Sequence, residues 1–484
     1  LRSTNVHMNR LVGLLMVCLF GIQFNGFAQK DAYRLKIQVK GISDTICYLA
    51  NYYGKNQYYK DTSEVDADGN MEFTGSDPLE EGMYSLVIGT SKLFDLFVVE
   101  QQFAMTTDTS NTSGMMQVKG SKENQLFYDY VKELDKYQGK AAKWNEQYKS
   151  EDKAKKDEAI EQLTLLDTEV KAYQKQFVEA NKGTLVANFV NATREIVVPE
   201  APVLENGKKD SLFQYKYYKE HFLDNIDFTD GRLIRTPVYH QKVSRYIEKL
   251  TYQIPDSLYI SIDNLLDKTR ANYDLFRYTV SWITNTYEKS NVMGMDAIFV
   301  HMAENYYLTD DVDWTDSTQN AKIKERYIKT KPLLIGKVAP NIILADTAQD
   351  KWYNLHQLDS EYTIVYIWSP TCGHCKKVTP KMHDLYLKYK DKGLKVFAVG
   401  TEFENKEWKK FIDKHNLTWI NVSDSPEYPN NIKDHPNNFR TNYDVFSTPK
   451  IYLLDKDKKI IAKKLEDEQL DDLLGKLIND KKEG

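Results

Sequence analysis

The chain has 484 residues, 41% of them apolar and 28% charged, with a formal net charge of −5. That length exceeds what one hydrophobic core holds and predicts two to four domains of ordinary globular composition. Near-neutral charge leaves no basic stripe for a polyanion, so a nucleic-acid partner is not expected.

The N-terminus reads as a targeting segment, residues 1–28. Met8 is a plausible start, Arg10 a positive flank, and Leu11 to Phe24 a nearly continuous apolar run ending at Gly26-Phe27-Ala28. The run falls short of the roughly 20 residues that span a bilayer. Cleavage, export and a soluble periplasmic or cell-envelope protein are therefore expected; retention as a membrane anchor is the alternative. Cys18 leaves with the segment, and Val17 before it disfavours lipidation.

From 29 to 118 the pattern predicts a small β-sandwich. Tyr33, Leu35, Ile37 and Val39 alternate with polar residues, Asp66-Ala67-Asp68-Gly69-Asn70 reads as a turn, and Gly82–Ile88 and Phe94–Val99 read as strands. Cys47 stands in the strand-like run Thr45-Ile46-Cys47-Tyr48-Leu49 and is read as a buried apolar residue. From 119 to 333 the period becomes helical. Ile160, Leu163, Leu166, Val170, Tyr173 and Phe177 share one helix face. The charged stretch from Lys149 to Glu158 reads as a turn or helix surface, and Asp227 to Pro237 as a loop. Tyr215, Tyr217, Tyr218, Tyr306 and Tyr307 either line a peptide groove or pack with wet tips.

Residues 331–340 read as a linker into a C-terminal α/β domain, 334–484. Tyr362–Trp368 is almost continuously apolar, as a strand buried on both faces must be. Leu394–Val399 and Lys450–Leu454 are of the same kind. Helical patterns lie between them, at Met382, Leu385 and Tyr389 and at Trp408, Phe411 and Ile412. Leu470, Leu473, Leu474, Leu477 and Ile478 form a closing amphipathic helix. Alternating strands and helices imply a mixed sheet covered on both faces. The whole chain is thus expected to be multidomain: β-sandwich, all-helical middle, α/β C-terminus.

The chemistry gathers at Cys372-Gly373-His374-Cys375. Cys372 follows a buried strand and the turn Ser369-Pro370-Thr371, so it should open a helix. Unpaired N–H groups and the positive end of the helix dipole there favour a thiolate, the reactive form. Cys375 lies one helical turn on, where it can resolve a mixed disulfide. Gly373 leaves the turn unencumbered, and protonated His374 adds positive charge beside the thiolate.

Trp368-Ser-Pro-Thr-Cys372-Gly-His-Cys375-Lys376, with Pro380 beyond it, resembles the thioredoxin superfamily. The lead-in Gly336-Lys-Val-Ala-Pro340 and the hairpin Asp455-Lys-Asp-Lys-Lys-Ile460 are similar to its extracytoplasmic TlpA/ResA branch. The tetrad itself is like that of protein disulfide isomerases. The resemblance covers about residues 334 to 480. It implies a thiol–disulfide oxidoreductase, reductase or isomerase, with Cys372 as nucleophile and Cys375 as resolving thiol. Trp368, Gly373, His374 and Pro380 would support them, and Thr448-Pro449 would be a cis-proline loop shaping the substrate site. The cofactor is then only the redox-active Cys372–Cys375 pair. The implied partners are cysteine-containing exported proteins and a membrane electron donor, and the N-terminal domains could pair two protomers. Two departures stand out: Tyr366 and Val378 occupy places where relatives carry proton-shuttling carboxylates.

Three rival readings remain beside this one. A zinc site lacks the further ligands it needs, so no metal is expected. A peroxidase would have Ser369 in place, but Val365 where a proline belongs. A binding or scaffold protein with an accessory redox domain would leave no motif in residues 29–333.

Overall fold

Alternation decides the first strand: in β1 (Tyr33–Lys40) Tyr33, Leu35, Ile37 and Val39 are buried and their neighbours are not. The computed structural model describes residues 31–348, 350–402, 406–424 and 438–483. The targeting segment, with Cys18, lies outside them. After β1 come β2 (Thr45–Tyr53), β3 (Asn56–Val65), β4 (Asn70–Gly75), β5 (Gly82–Ile88), β6 (Ser91–Val98), β7 (Gln102–Asp108) and β8 (Gln117–Lys119). They form two four-stranded sheets, ordered β4-β1-β7-β8 and β3-β2-β5-β6. β1 runs antiparallel to β4 and parallel to β7. The turn at Asp66 is closed by its carboxylate, which accepts from the backbone N–H of Asp68 and Asn70. Gly69 is required there: its φ is +80°, and a Cβ would lie 2.1 Å from the Val39 carbonyl oxygen. Cys47 is fully buried in β2. Burial, the dominant influence, raises its thiol pKa to about 11.

The middle of the chain is helical: α1 (Lys122–Tyr148), α2 (Lys153–Ala180), α3 (Leu185–Thr193), α4 (Phe213–His221), α5 (Pro237–Glu248), α6 (Pro255–Thr269), α7 (Tyr273–Glu288), α8 (Asp296–Met302) and α9 (Ser317–Thr330). Its core is built on α6 and α7, where Leu258, Ile262, Leu265, Leu275, Val280 and Ile283 are fully buried. The charged stretch is the α1–α2 turn, with Asp152 capping α2 through the Ala154 N–H. On α2 the apolar face is only half covered. Phe177 is buried, Leu163, Leu166, Val170 and Tyr173 are half-buried, and Ile160 is exposed. Tyr306 and Tyr307 are buried, and Tyr306 donates to Asp263 at 2.9 Å. Tyr215 donates to the Leu250 carbonyl at 2.7 Å. Packed faces with satisfied tips account for these tyrosines.

The C-terminal sheet has seven strands in the order β10-β9-β13-β12-β11-β14-β15. They are β9 (Ile343–Asp346), β10 (Trp352–Asn354), β11 (Tyr362–Trp368), β12 (Leu394–Gly400), β13 (Ile420–Ser423), β14 (Lys450–Leu454) and β15 (Ile460–Lys463), with helices α10 (Gly373–Tyr389), α11 (Lys406–His415), α12 (Phe439–Asn442) and α13 (Asp467–Glu483). β11 is central and every residue in it is buried; it pairs parallel with β12 and antiparallel with β14. Its two faces feed two cores. Ile364, Tyr366 and Trp368 pack with Cys375 and Met382 of α10 and Leu470 and Leu474 of α13. Val365 and Ile367 pack with Phe397, Phe439 and Tyr443 on the other side. Each fully buried side chain of this size is worth about 1.5–3 kcal/mol of transfer free energy, which is what fixes α10 to the end of β11.

The stretch read as a linker is docked. Gly336 donates to the Ile460 carbonyl at 2.8 Å, Ile460 donates to Lys337 at 2.8 Å, and Val338 bridges Lys459. Segregation of charge and apolar residues could not reveal this, because the pairing is backbone to backbone. By compactness the described residues divide in two: one unit contains 31–49, Tyr59–Glu81 and Ser85–Asp129, the other Ala50–Tyr58, Gly82–Tyr84 and the described residues from Tyr130 onward. The helical and α/β parts therefore share one unit.

Candidate active site

The site forms where β11 ends. Strand pairing carries the chain to Trp368, and the turn Ser369–Thr371 then reverses it into α10. That turn is held by a carboxylate: Ser369 Oγ and Thr371 Oγ1 both donate to Glu402 Oε1, the latter at 3.0 Å. Glu402 stands just beyond β12, beside the carboxyl end of β11, where open α/β sheets place their ligands. It had not been singled out as a site residue; its position two residues past a buried strand is the signal that could have found it.

Cys372 is the N-cap of α10, in extended conformation, and its sulfur accepts from the Cys375 backbone N–H at 3.4 Å. Both cysteines are free thiols, Cys372 half-buried and Cys375 fully buried. Their acidities are pushed apart. For Cys372, burial works upward, but hydrogen bonds from the Cys375 backbone and thiol and from Thr448 outweigh it, and the net shift is downward. For Cys375, burial dominates and raises the pKa to about 11. The half-buried sulfur thus gives up its proton more easily than the enclosed one.

The remaining predicted residues fall around this pair. Gly373 and His374 are exposed at the first turn of α10. Trp368 is fully buried, against Trp408 and Phe411, so it supports the turn from beneath. Pro380 lies inside α10. It leaves the Lys376 carbonyl without a helical N–H partner, while Thr379 Oγ1 donates back to the Cys375 carbonyl at 2.8 Å. Thr448-Pro449 is a cis peptide, and the Cys372 thiol donates to the Thr448 carbonyl at 3.2 Å. At the two departures from the expected carboxylates, Tyr366 is buried with its hydroxyl 2.7 Å from Thr379 Oγ1, and Val378 is buried on α10.

The loop carrying Thr448 is braced from two directions. Lys450 Nζ donates to the Tyr443 and Asp444 carbonyls. Asp444, its side chain 8% exposed, is ion-paired to Arg326 of α9. Among the described residues, no group of three or more His, Cys, Asp or Glu is placed to hold a metal ion, and no helix is long and apolar enough to cross a membrane.

Three family models match the chain. Residues 335–463 match the model of the AhpC/TSA family, residues 33–127 a domain of unknown function (DUF4369) and residues 144–330 another (DUF5106). A thiol-disulfide oxidoreductase ResA from Bacillus thuringiensis subsp. konkukian is 29% identical over 154 residues, 31% of this chain and 83% of that protein. The C-terminal domain has a ResA/TlpA-like thioredoxin fold. A crystallised domain of a possible thiol-disulfide isomerase from Cytophaga hutchinsonii is 40% identical, covering 32% of this chain and 99% of that one with a TM-score of 0.28. A thioredoxin-like protein from Bacteroides caccae is 18% identical, covering 58% and 98%, with a TM-score of 0.43. The β-sheet and helical domains precede the thioredoxin-like domain in the chain, as expected of a multidomain protein with an α/β C-terminus.

Proposed function

We propose that the chain exchanges its Cys372–Cys375 dithiol for disulfides in cysteine-containing exported proteins, as a reductase or isomerase. The observation that carries this reading is the place of Cys372 as N-cap of α10, its sulfur 3.4 Å from the Cys375 backbone nitrogen and 3.2 Å from the Thr448 carbonyl oxygen. The Cys372 thiolate attacks one sulfur of a substrate disulfide, forming a mixed disulfide and releasing the other substrate sulfur as a thiolate. Cys375 then loses its proton and attacks Cys372 Sγ. The second substrate thiolate leaves, and the chain is left as the Cys372–Cys375 disulfide. Two electrons have passed to the substrate, and an external dithiol donor restores the reduced pair. In isomerisation a different cysteine thiolate of the substrate attacks the substrate sulfur of the mixed disulfide, which forms a new pairing and frees Cys372 as the leaving thiolate.

Thr448 supports this reading because its carbonyl flanks the attacking sulfur, where an extended substrate backbone can align. The peroxidase reading gains nothing at Val365, which is buried in β11 and directed to the far core. ResA proteins are oxidoreductases by name, and the likeness to them leans toward a reductant supplied from a membrane donor.

The test is a Cys375→Ser variant of the full chain, in which the first attack cannot be resolved. Exported proteins disulfide-linked to Cys372 are expected. Recovering none where an established thioredoxin trap succeeds would overturn the proposal. Redox titration then gives direction: a potential near about −270 mV marks a reductant and one near about −120 mV an oxidant.

A further inference from the structure

The helical domain meets the thioredoxin-like domain beside the cysteines, and a cavity of about 700 Å³ lies between them. This volume falls within the range, about 300–1,000 Å³, of sites that enclose a ligand. One wall comes from the helical domain, with Glu288, Asn291, Arg326 and Lys329; the other carries His374, Lys377 and the Thr448-Pro449 loop. Four contacts hold the walls together. Arg326 pairs with Asp444, Lys463 pairs with Asp296 and donates to the Leu333 carbonyl, and Lys464 donates to the Ser290 carbonyl at 3.0 Å. The first fastens the loop bearing Thr448 directly to α9.

We infer that this cavity is the continuation of the substrate site, and that it takes an extended polypeptide segment with a carboxylate side chain near its cysteine. The inference rests on the thiol–disulfide reading above and assigns the helical domain a share in substrate recognition. Three observations carry it. Phe446, two residues before Thr448, is 79% exposed, with Lys329 Nζ 5.1 Å from its ring centre. A bare aromatic on the loop facing the reactive sulfur is an anchor for a partner's apolar side chain. Second, Thr448 lines the same cavity with its carbonyl 3.2 Å from the Cys372 sulfur, and an extended backbone brings N–H donors to such an edge. Third, the lining holds seven lysines and arginines against five carboxylates. Four of the seven are ion-paired, Arg326 to Asp444, Lys463 to Asp296, Lys381 to Asp467 and Lys329 to Glu325. Lys377, two residues past Cys375, has no ion pair among the described residues and faces the same space.

The experiment measures kcat/KM of the full chain for three cysteine peptides in mixed disulfide form, with acidic, neutral or basic flanks. Each value is divided by that for a small aromatic disulfide. Wild-type chain should prefer the acidic peptide over the basic one by at least tenfold. Lys377→Glu should reverse that order. Asn291→Trp, which adds bulk from the helical wall, and Phe446→Ala should each lower the peptide ratio at least fivefold; all three positions are exposed, and circular dichroism checks folding. Ratios unchanged in all three variants would overturn the groove and leave the redox reading intact. Equal losses for oxidised glutathione would mean that the cavity takes small disulfides, which overturns the polypeptide assignment. A wild-type chain inert toward every disulfide would overturn both readings.

Discussion

The Cys372 sulfur lies 3.2 Å from the Thr448 carbonyl oxygen, although 76 residues separate them in the chain. Two connections meet at that contact: the crossover from β11 through α10, and the loop that leads from α12 into β14. The sulfur is held on one side by the first turn of a helix and on the other by a loop braced from α9. Small changes at either support should register in the reactivity of one atom.

The two thiols should titrate far apart. Alkylation of the reduced chain by iodoacetamide, followed by mass spectrometry, should modify Cys372 with a midpoint below that of an ordinary thiol. Cys375 should react only as pH approaches about 11. The stability consequence has a definite sign. Because the Cys375 pKa is raised on folding, its contribution is complete below the unfolded thiol pKa, near 8.5, and is lost as pH rises through about 11. Equal alkylation rates at pH 7 would contradict the assignment.

Arg326→Ala should destabilise the chain strongly. It leaves the Asp444 carboxylate buried without its partner. Breaking a buried pair this way costs about 3–5 kcal/mol, and the partial exposure of Arg326 places the value toward the lower end. Denaturant unfolding should show this loss, and adding Asp444→Asn should recover most of it. A recovery of less than half would mean that the pair is not what the loss reflects.

Tyr366→Phe should cost about 1–2 kcal/mol, because it removes a buried hydroxyl that is 2.7 Å from Thr379 Oγ1. Thr379 keeps its bond to the Cys375 carbonyl. Urea midpoints should therefore fall while the alkylation order of the cysteines is kept.

Glu402→Gln should loosen the turn before Cys372. Two hydroxyl bonds to a carboxylate become bonds to an amide, and bonds to charged groups are worth about 1.5–3 kcal/mol each. A several-fold fall in disulfide exchange rate is expected, with a smaller change in global stability. An unaltered rate would show that the turn holds without the charge.

The sequence disclosed what is local. β11 was legible because a strand buried on both faces has no polar alternation, and Cys372 could be placed at a helix start because strand, turn and helical period follow one another directly. What was not legible depends on partners far along the chain. Arg326 and Asp444 are 118 residues apart, and nothing in either neighbourhood names the other. Glu402 becomes significant only once β12 lies beside β11. β3 escaped notice for another reason: it is polar and almost wholly exposed, so it has no buried face to produce alternation. On α2 the apolar face was legible but its half-covered state was not, because periodicity reports a face and not what covers it.

The pairing of residues 336–339 with Lys458–Ile460 bears on where the chain can be cut. β15 is the last strand of its sheet, and an unpaired margin of that kind invites other chains to add to it. The residues leading into the domain act as its selvedge. A C-terminal fragment begun at Asn341 would bare that margin and should self-associate as its concentration rises, whereas one begun at Leu334 should stay monodisperse.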